Sequence, residues 1–471
     1  MRVQKTIFIG GQWVPSTAVD TITGINPTTE EPIGSVPNGT PEDADRAVRA
    51  AAAAFACWSQ SSLEARVAVM RSAADVLESR LDQVSRDICE EIGKPITLAR
   101  AEVAAVVSGL RQVGDDLPTI QWEEKIGNAI IVREPVGVVV AITAWNAPLL
   151  EIFVKVCAAV AAGCTVVLKP SERSPHTAFV FAEVFEAAGL PDGVLNVVVG
   201  TGPIVGEALV THALVDMVTI TGSVGAGKRV MELASRSVKR VALELGGKSP
   251  NIIFADADIE RAVNDGVDDC LRSAGQVCAG LTRMIVPAAL MDRVSEIAKA
   301  RAESYVIGDP ADEKTTLGPV ANADQFERVR NYIRLGISEG ATTVTGGEDL
   351  PETVERGYFI RPTVFSGVNN KMRIAQEEIF GPVLSIIPFD TDEEAIEIAN
   401  DTSYGLGAAV WSGDADRARE VAGRLRAGRV RVNGGPVNRR APHGGFKQSG
   451  VGREGGRFGI EEFLDLKAIL I

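Results

Sequence analysis

Two short stretches of the chain carry residue types that could make and break bonds. The first is Ala242-Leu243-Glu244-Leu245-Gly246-Gly247-Lys248-Ser249-Pro250, a carboxylate set among apolar residues before a Gly-Gly turn. The second is Ser273-Ala274-Gly275-Gln276-Val277-Cys278-Ala279-Gly280, a cysteine between small residues. A thiol reacts as its thiolate, and an ordinary thiol pKa of about 8.5 leaves only a few per cent ionised near neutrality. A carboxylate acting as base, or a nearby positive dipole, would raise that fraction. The competing reading is structural: Glu244 ends a strand, and Cys278 is a small core residue, as most lone cysteines are.

Four other stretches have chemistry to offer. Gly222-Ser223-Val224-Gly225-Ala226-Gly227 follows an apolar run and opens a helical one, so backbone N–H groups at a helix start could hold a pyrophosphate. Its spacing is not GxGxxG, and a plain strand-to-helix turn fits it equally. Lys169-Pro170-Ser171-Glu172 offers a Lys and a Glu three apart that could share the hydroxyls of an adenosine ribose; a free 2′-hydroxyl suits the acid. Asn146, in Ala144-Trp145-Asn146-Ala147-Pro148, could donate to a developing oxyanion. Glu377-Glu378-Ile379-Phe380-Gly381-Pro382 and Gly444-Gly445-Phe446-Lys447-Gln448-Ser449-Gly450 read, singly, as loops.

The elements that must position these groups follow from periodicity. The 471 residues are too many for one simple core and suit two or three domains. Early short strands give way at Thr40, an N-cap with Pro41 behind it and Glu42-Asp43 in the first turn. Ser61 to Glu64 has capping-box spacing and predicts a second helix to about Ile92; a third runs to about Gly114. Residues 119–135 read as an extended, projecting hairpin. From Gly137, apolar runs such as Val138–Ile142, Thr165–Leu168, Leu195–Val199 and Val215–Ile220 alternate with helices. That pattern predicts an α/β, doubly wound parallel sheet binding ligands at its strands' carboxyl ends. A second alternation after Pro250, including Asn251–Phe254, Arg283–Val286, Tyr358–Ile360 and Val383–Ile387, predicts another α/β domain. Glu244 and Cys278 then flank the domain junction, where clefts form.

Composition narrows the function classes. Hydrophobic residues make up 45% and charged residues 23%, with a net charge of −14 spread along the chain, which argues against nucleic-acid binding. Six cysteines show no CxxC and read as reduced thiols. The three histidines, His176, His212 and His443, support neither a His-based triad nor a zinc site, so no metal is expected. The N-terminal residues lack an apolar signal segment, and the apolar region 152–168 is interrupted by Lys155 and Gly163. The expectation is a cytoplasmic protein with no membrane partner.

Taken together, Trp145-Asn146, Lys169-Pro170-Ser171-Glu172, Gly222-Ser223, Glu244-Leu245-Gly246-Gly247-Lys248, Gly275-Gln276-x-Cys278 and Glu378-x-Phe380-Gly381-Pro382 resemble, in order, the motifs of the NAD(P)-dependent aldehyde dehydrogenases. The resemblance spans the chain from Trp13 to the last strand. It implies a cofactor domain in residues 1–118 and 137–246, a catalytic domain in 247–447, and oligomerisation strands in 119–136 and 459–471. It implies that Cys278 attacks the aldehyde to give a thiohemiacetal whose oxyanion is held by the Cys278 N–H and Asn146. Hydride loss leaves a thioester, and Glu244 deprotonates the hydrolytic water. Lys155 and Glu454 join the local polar network. Glu378 would hold the nicotinamide ribose with Phe380 packing nearby, Lys169 and Glu172 the adenosine ribose, and Ser223 the pyrophosphate. Trp145, Ser171, Gly222, Gly227, Leu245 and Gly246 complete the implied NAD site, with NADP also possible. A homodimer or homotetramer follows by the same analogy.

Departures from the family pattern carry expectations of their own. Ala144 and Ala147 stand where Pro and an aromatic are frequent, so Ala147 should widen the substrate tunnel toward bulkier aldehydes. Glu151, one helical turn on, faces either the tunnel or the surface. Val224 replaces a frequent Thr, and His443 a frequent Phe. Because acylating relatives typically lack the carboxylate at Glu244, a hydrolytic enzyme is favoured. The alternatives are a semialdehyde or coenzyme-A-acylating enzyme, and a structural or binding protein that retains the fold without turnover.

Overall fold

The computed structural model describes residues 2–471. Among these, the strands form two large sheets and two small three-stranded ones. The first large sheet has eight strands in the spatial order Gly450–Val451, Arg240–Glu244, Met217–Thr221, Val138–Ile142, Thr165–Lys169, Leu195–Val197, Thr6–Ile9 and Gln12–Pro15. Its five middle strands, Arg240–Glu244 to Leu195–Val197, are parallel; Gly450–Val451 and Thr6–Ile9 flank them antiparallel, and Gln12–Pro15 reverses direction again. The apolar runs explain the parallel centre. Val139, Ala141, Val166 and Leu168 face one core, while Val138, Val140, Val167 and Val218 face another, as the two-residue period of a strand requires.

The second large sheet orders Thr342–Thr345, Thr363–Ser366, Val383–Phe389, Arg283–Pro287, Pro250–Ile253, Gly407–Trp411 and Arg429–Val432, all parallel except the first pair. Its core is separate, built around Ile252, Ile285, Val364, Ile386 and Val410. Residues 245–249 connect the two sheets, so Glu244 closes a strand of one, and the helix Ile259–Leu271 of the other leads toward Cys278. The strand Gly450–Val451 returns to the first sheet and pairs Gly450 with Glu244.

Thr40 caps the helix Pro41–Trp58 through a reciprocal box with Asp43. The next helix departs from the expected form in two ways. Ser62, not Ser61, is the cap and accepts from the Ala65 N–H, while Ser61 donates to the Trp58 carbonyl at 2.6 Å. The helix also divides at Arg80 into Leu63–Ser79 and Leu81–Ile92; Arg80 is tied to Glu183 at 2.7 Å. Residues 117–119 form a 3-10 turn, so the hairpin starts later than expected, as Glu123–Ile126 and Ala129–Pro135. Leu464–Leu470 pairs antiparallel along that hairpin, with Leu466 and Leu470 largely exposed. The run Tyr358–Ile360, expected as a strand, lies outside the sheet: the Tyr358 N–H donates to Pro27, and the strand is Thr363–Ser366. No helix among the described residues is long and apolar enough to cross a membrane.

Candidate active site

The loop that presents Cys278 is held in a costly conformation. After Leu271 the backbone turns left-handed at Ser273, Ala274 and Gly275, with φ of 51°, 54° and 72°. Such conformations persist in non-glycine residues only when neighbours over-determine them. Here Gln276 does so: its amide donates to the Ser273 carbonyl at 3.0 Å, and its carbonyl oxygen accepts from the Ala321 N–H at 2.9 Å. Gly275 has no alternative, since a Cβ there would fall 2.1 Å from the Gly381 carbonyl oxygen. Cys278 emerges half-buried, and among the described residues its N–H has no hydrogen-bond acceptor.

Asn146 reaches the same loop from the first sheet. It is buried, and one amide N–H donates to the Gln276 carbonyl at 3.0 Å, leaving the other free. The helix Pro148–Ile152 that follows is anchored by Glu102, whose Oε1 accepts from both Leu149 and Leu150 N–H groups at 3.1 Å. Glu102 is itself ion-paired with buried Lys94. Glu102→Ala would strand a buried ammonium and two helix N–H groups. Its expected cost is about 3–5 kcal/mol in urea unfolding, with Glu102→Gln costing much less.

A cluster of carboxylates stands opposite. Glu244 is 6% exposed, and neither of its oxygens has a hydrogen-bond partner among the described residues. Burial holds its pKa well above the usual carboxylate range, Glu454 adds to this, and Lys155 opposes it. Lys155 lies in a π-helical segment, Phe153–Cys157, of the kind found at functional sites. It is fully buried and paired with Glu454; burial alone would lower its pKa, but Glu454, Glu151 and Glu244 together raise it. Glu151 faces this interior and not the surface: its Oε2 is buried without a partner among the described residues, and burial drives its pKa up to about 7. Burial raises the Cys278 thiol, with Glu151, Glu244 and Glu378 adding to the rise and Arg429 opposing it.

The residues expected to hold a cofactor group as follows. Trp145 and Phe380 meet edge to face at 5.4 Å, with Phe380 in a left-handed backbone conformation. Glu378 lies over the Gly-Gly corner: its Oε1 accepts from the Gly247 N–H at 3.3 Å, and a Cβ on Gly246 would fall 2.1 Å from its Oε2. Burial raises Glu378 to about 7. Lys169 is buried, donates to the Pro170 carbonyl, and stands 3.7 Å from Glu172. Ser171 accepts from the Arg173 N–H, and Ser223 caps the helix Val224–Ser235 by accepting from Ala226, so both hydroxyls have local partners. Gly222 donates to the Glu244 carbonyl, while Gly227 packs against the Leu245 side chain.

A dinucleotide fits this set. An exposed twelve-residue helix start could receive a pyrophosphate, and a buried carboxylate with a single long hydrogen bond could receive ribose hydroxyls. Among the described residues no cluster of His, Cys, Asp and Glu could hold a metal ion.

Sequence reasoning did not assign Gln276, Glu102 or Ser449. Ser449 is fully buried, donates to the Gly246 carbonyl at 2.7 Å and accepts from Gly405, which fixes the corner under Glu378. Gln276 and Ser449 stood inside quoted motifs, but their partners lie far away in the chain. His443, which replaces a frequent Phe, stands 3.8 Å from Glu244.

Comparison with known proteins gives the family. The family model described as "Aldehyde dehydrogenase family" matches residues 13–469. A 3-succinoylsemialdehyde-pyridine dehydrogenase of a Pseudomonas species is 46% identical, over 100% of this chain and 99% of that protein. Aldehyde dehydrogenase C of Pseudomonas syringae, solved as a cysteine-to-alanine mutant with NAD+ and octanal, is similar at a TM-score of 0.98 and 48% identity, over 99% of this chain and 96% of that one. The Mycobacterium tuberculosis aldehyde dehydrogenase solved with NAD+ gives a TM-score of 0.97 at 40% identity, over 100% and 98%.

Proposed function

The chain belongs to the aldehyde dehydrogenase family and is an NAD-dependent oxidoreductase of aldehydes; from that premise we propose that it is the hydrolytic kind, releasing a free carboxylic acid. The observation that carries this reading is Glu244, a buried carboxylate with both oxygens unpartnered, in the electrostatic reach of Cys278. A buried carboxylate kept free in this way costs stability, and a base for water is the use that matches it.

In this mechanism the Cys278 sulfur attacks the aldehyde carbon, and its proton passes to a carboxylate of the cluster. The Cys278 N–H and the free N–H of Asn146 receive the developing oxyanion. Bound NAD supplies the hydride acceptor, and a thioester on Cys278 results. Glu244 then accepts a proton from water as its oxygen attacks the thioester carbon, and the acid departs as the thiol is restored. The Lys155–Glu454 pair keeps a compensating cation beside the carboxylates. Lys169 and Glu172 would hold the adenosine ribose, Glu378 the nicotinamide ribose, and the helix start at Ser223 the pyrophosphate, with Glu172 favouring NAD over NADP. Octanal with NAD is expected to yield NADH and octanoate without coenzyme A. Product found only when coenzyme A is added would instead assign the acylating chemistry.

Ala147 caps the helix Pro148–Ile152, its carbonyl accepting from the Glu151 N–H, and its small side chain would leave room for a bulkier aldehyde. Substrates longer than three carbons are accordingly preferred. kcat/KM should rise from acetaldehyde to octanal, and Ala147→Phe should cut the octanal value roughly 10-fold or more. An optimum at two or three carbons in the wild type would refute the wide tunnel. The exposed Leu466 and Leu470 on the outer strand of the small sheet support self-association into a dimer or tetramer, which light scattering on the full chain would read.

A further inference from the structure

An imidazole stands close to the unpartnered carboxylate. His443 is tied into place by two backbone hydrogen bonds with Glu454, each 2.7 Å, which form an isolated antiparallel bridge. Its Nε2 stands 3.8 Å from Glu244 Oε2. The following residue packs on the same carboxylate: a Cβ on Gly444 would lie 2.8 Å from Glu244 Oε1. The backbone of Glu244 is fixed by its pairing with Gly450, while its two oxygens are held by nothing among the described residues. The carboxylate group is therefore free to turn toward the imidazole.

The two nearby cations that act on Glu244, Lys155 and Arg453, are engaged elsewhere. Lys155, from the π-helical segment, is committed to Glu454, and Arg453 donates to the Gly445 and Gly452 carbonyls. Glu454 and Glu151 face Glu244 as like charges, whereas Arg429, Lys155 and Arg453 are the cations that face the imidazole. Burial first, and Arg429 next, depress His443 to about 4, so the ring is neutral in the working range and carries one N–H. Nδ1 is buried without a partner. An unpaired acceptor nitrogen there costs less than an unpaired N–H, which assigns the proton to Nε2, the atom facing Glu244.

We propose that His443 is a positioning residue for Glu244, its Nε2–H donating to the ionised carboxylate and holding it as the base for thioester hydrolysis. This rests on the hydrolytic reading above. A phenyl ring fills the same space and offers no donor, so the difference between His and Phe at this position is a hydrogen bond to the base. The sign follows directly. Glu244 must be ionised to accept the water proton, so hydrolysis rises with pH through its pKa. A donor to the ionised form lowers that pKa, and removing the donor moves the acid limb toward higher pH.

The test uses the full-length enzyme with octanal and NAD, reading the initial NADH burst and the post-burst rate of octanoate release from pH 5.5 to 9.5. His443→Phe and His443→Leu should each move the acid limb of the post-burst rate upward by roughly one pH unit, a tenfold change in the ionised fraction. His443→Gln, whose amide N–H replaces Nε2–H, should return the limb to within a few tenths of the wild type. The burst should survive in all three. Limbs unmoved in both donor-less variants, or a Gln variant that behaves like the Phe variant, would overturn the role of His443. A wild type that bursts without releasing octanoate refutes the hydrolytic reading instead.

Discussion

Cys278→Ala is expected to lose essentially all aldehyde oxidation, a fall in kcat of roughly 10⁴-fold or more, with unfolding little changed. The asymmetry follows from the loop. Its shape is set by Gln276, by the left-handed backbone from Ser273 to Gly275 and by the Gly275–Gly381 contact, none of which involves the Cys278 sulfur. Removing one half-buried sulfur therefore takes the nucleophile and leaves the scaffold. No other cysteine can substitute. Cys157, Cys164 and Cys270 are enclosed in the hydrophobic cores, Cys89 is buried, and Cys57 lies exposed on the helix Pro41–Trp58, whereas Cys278 is only half-buried. Cys278→Ser should also fail, because a hydroxyl ionises far less readily than a thiol. Stopped-flow NADH formation reads the loss, and activity that survived in the alanine variant would refute the nucleophile.

Glu244→Gln should separate the two halves of the reaction. The amide is isosteric, so oxidation should proceed through one turnover and give about one NADH per site, while thioester hydrolysis slows by roughly 10²–10⁴-fold. The variant should fold at least as stably as the wild type. It replaces a buried carboxylate, repelled by Glu454 and Glu151 and lacking hydrogen bonds among the described residues, with a neutral group. A loss of the burst together with the steady state would mean that Glu244 is also needed to activate the thiol.

Much of this arrangement was legible in the sequence, for identifiable reasons. Strands buried on both faces announce themselves as apolar runs, and Val138–Ile142 and Thr165–Lys169 need nothing else to be read. A local cap such as Thr40 is equally visible. Features fixed by distant partners were not. The break at Arg80 has no Pro or Gly to mark it, and the Arg80 side chain binds Glu183 in another helix. The shift of the cap from Ser61 to Ser62 follows from Arg66, which donates to Ser61 from the next turn. Tyr358–Ile360 is a short apolar run, as a strand would be, but its backbone bonds to Pro27 and Val320 instead of a sheet.

In the candidate site the same distinction holds. Cys278, Glu244 and Asn146 are recognisable from motifs. Glu102 is a lone helical Glu in sequence, and its capping of the helix after Asn146 exists only once residues 47 and 48 positions apart meet. His443 could be noticed as a departure from the family pattern, but its meaning came from the 3.8 Å approach to a carboxylate 199 positions earlier. Glu151 shows the limit of periodicity: helical spacing puts it one turn from Ala147, and only the fold buries its Oε2 within electrostatic reach of Lys155 and Glu454.

The central claim is a thioester on Cys278 that Glu244 resolves. Its most direct measurement is mass spectrometry of the Glu244→Gln variant after brief exposure to octanal and NAD, followed by peptide mapping. The account predicts one octanoyl group per chain, attached at Cys278 and removed by hydroxylamine, with the wild type unmodified under the same conditions. A Glu244→Gln enzyme that turns over freely without accumulating the adduct, or an adduct on any other residue, would contradict it.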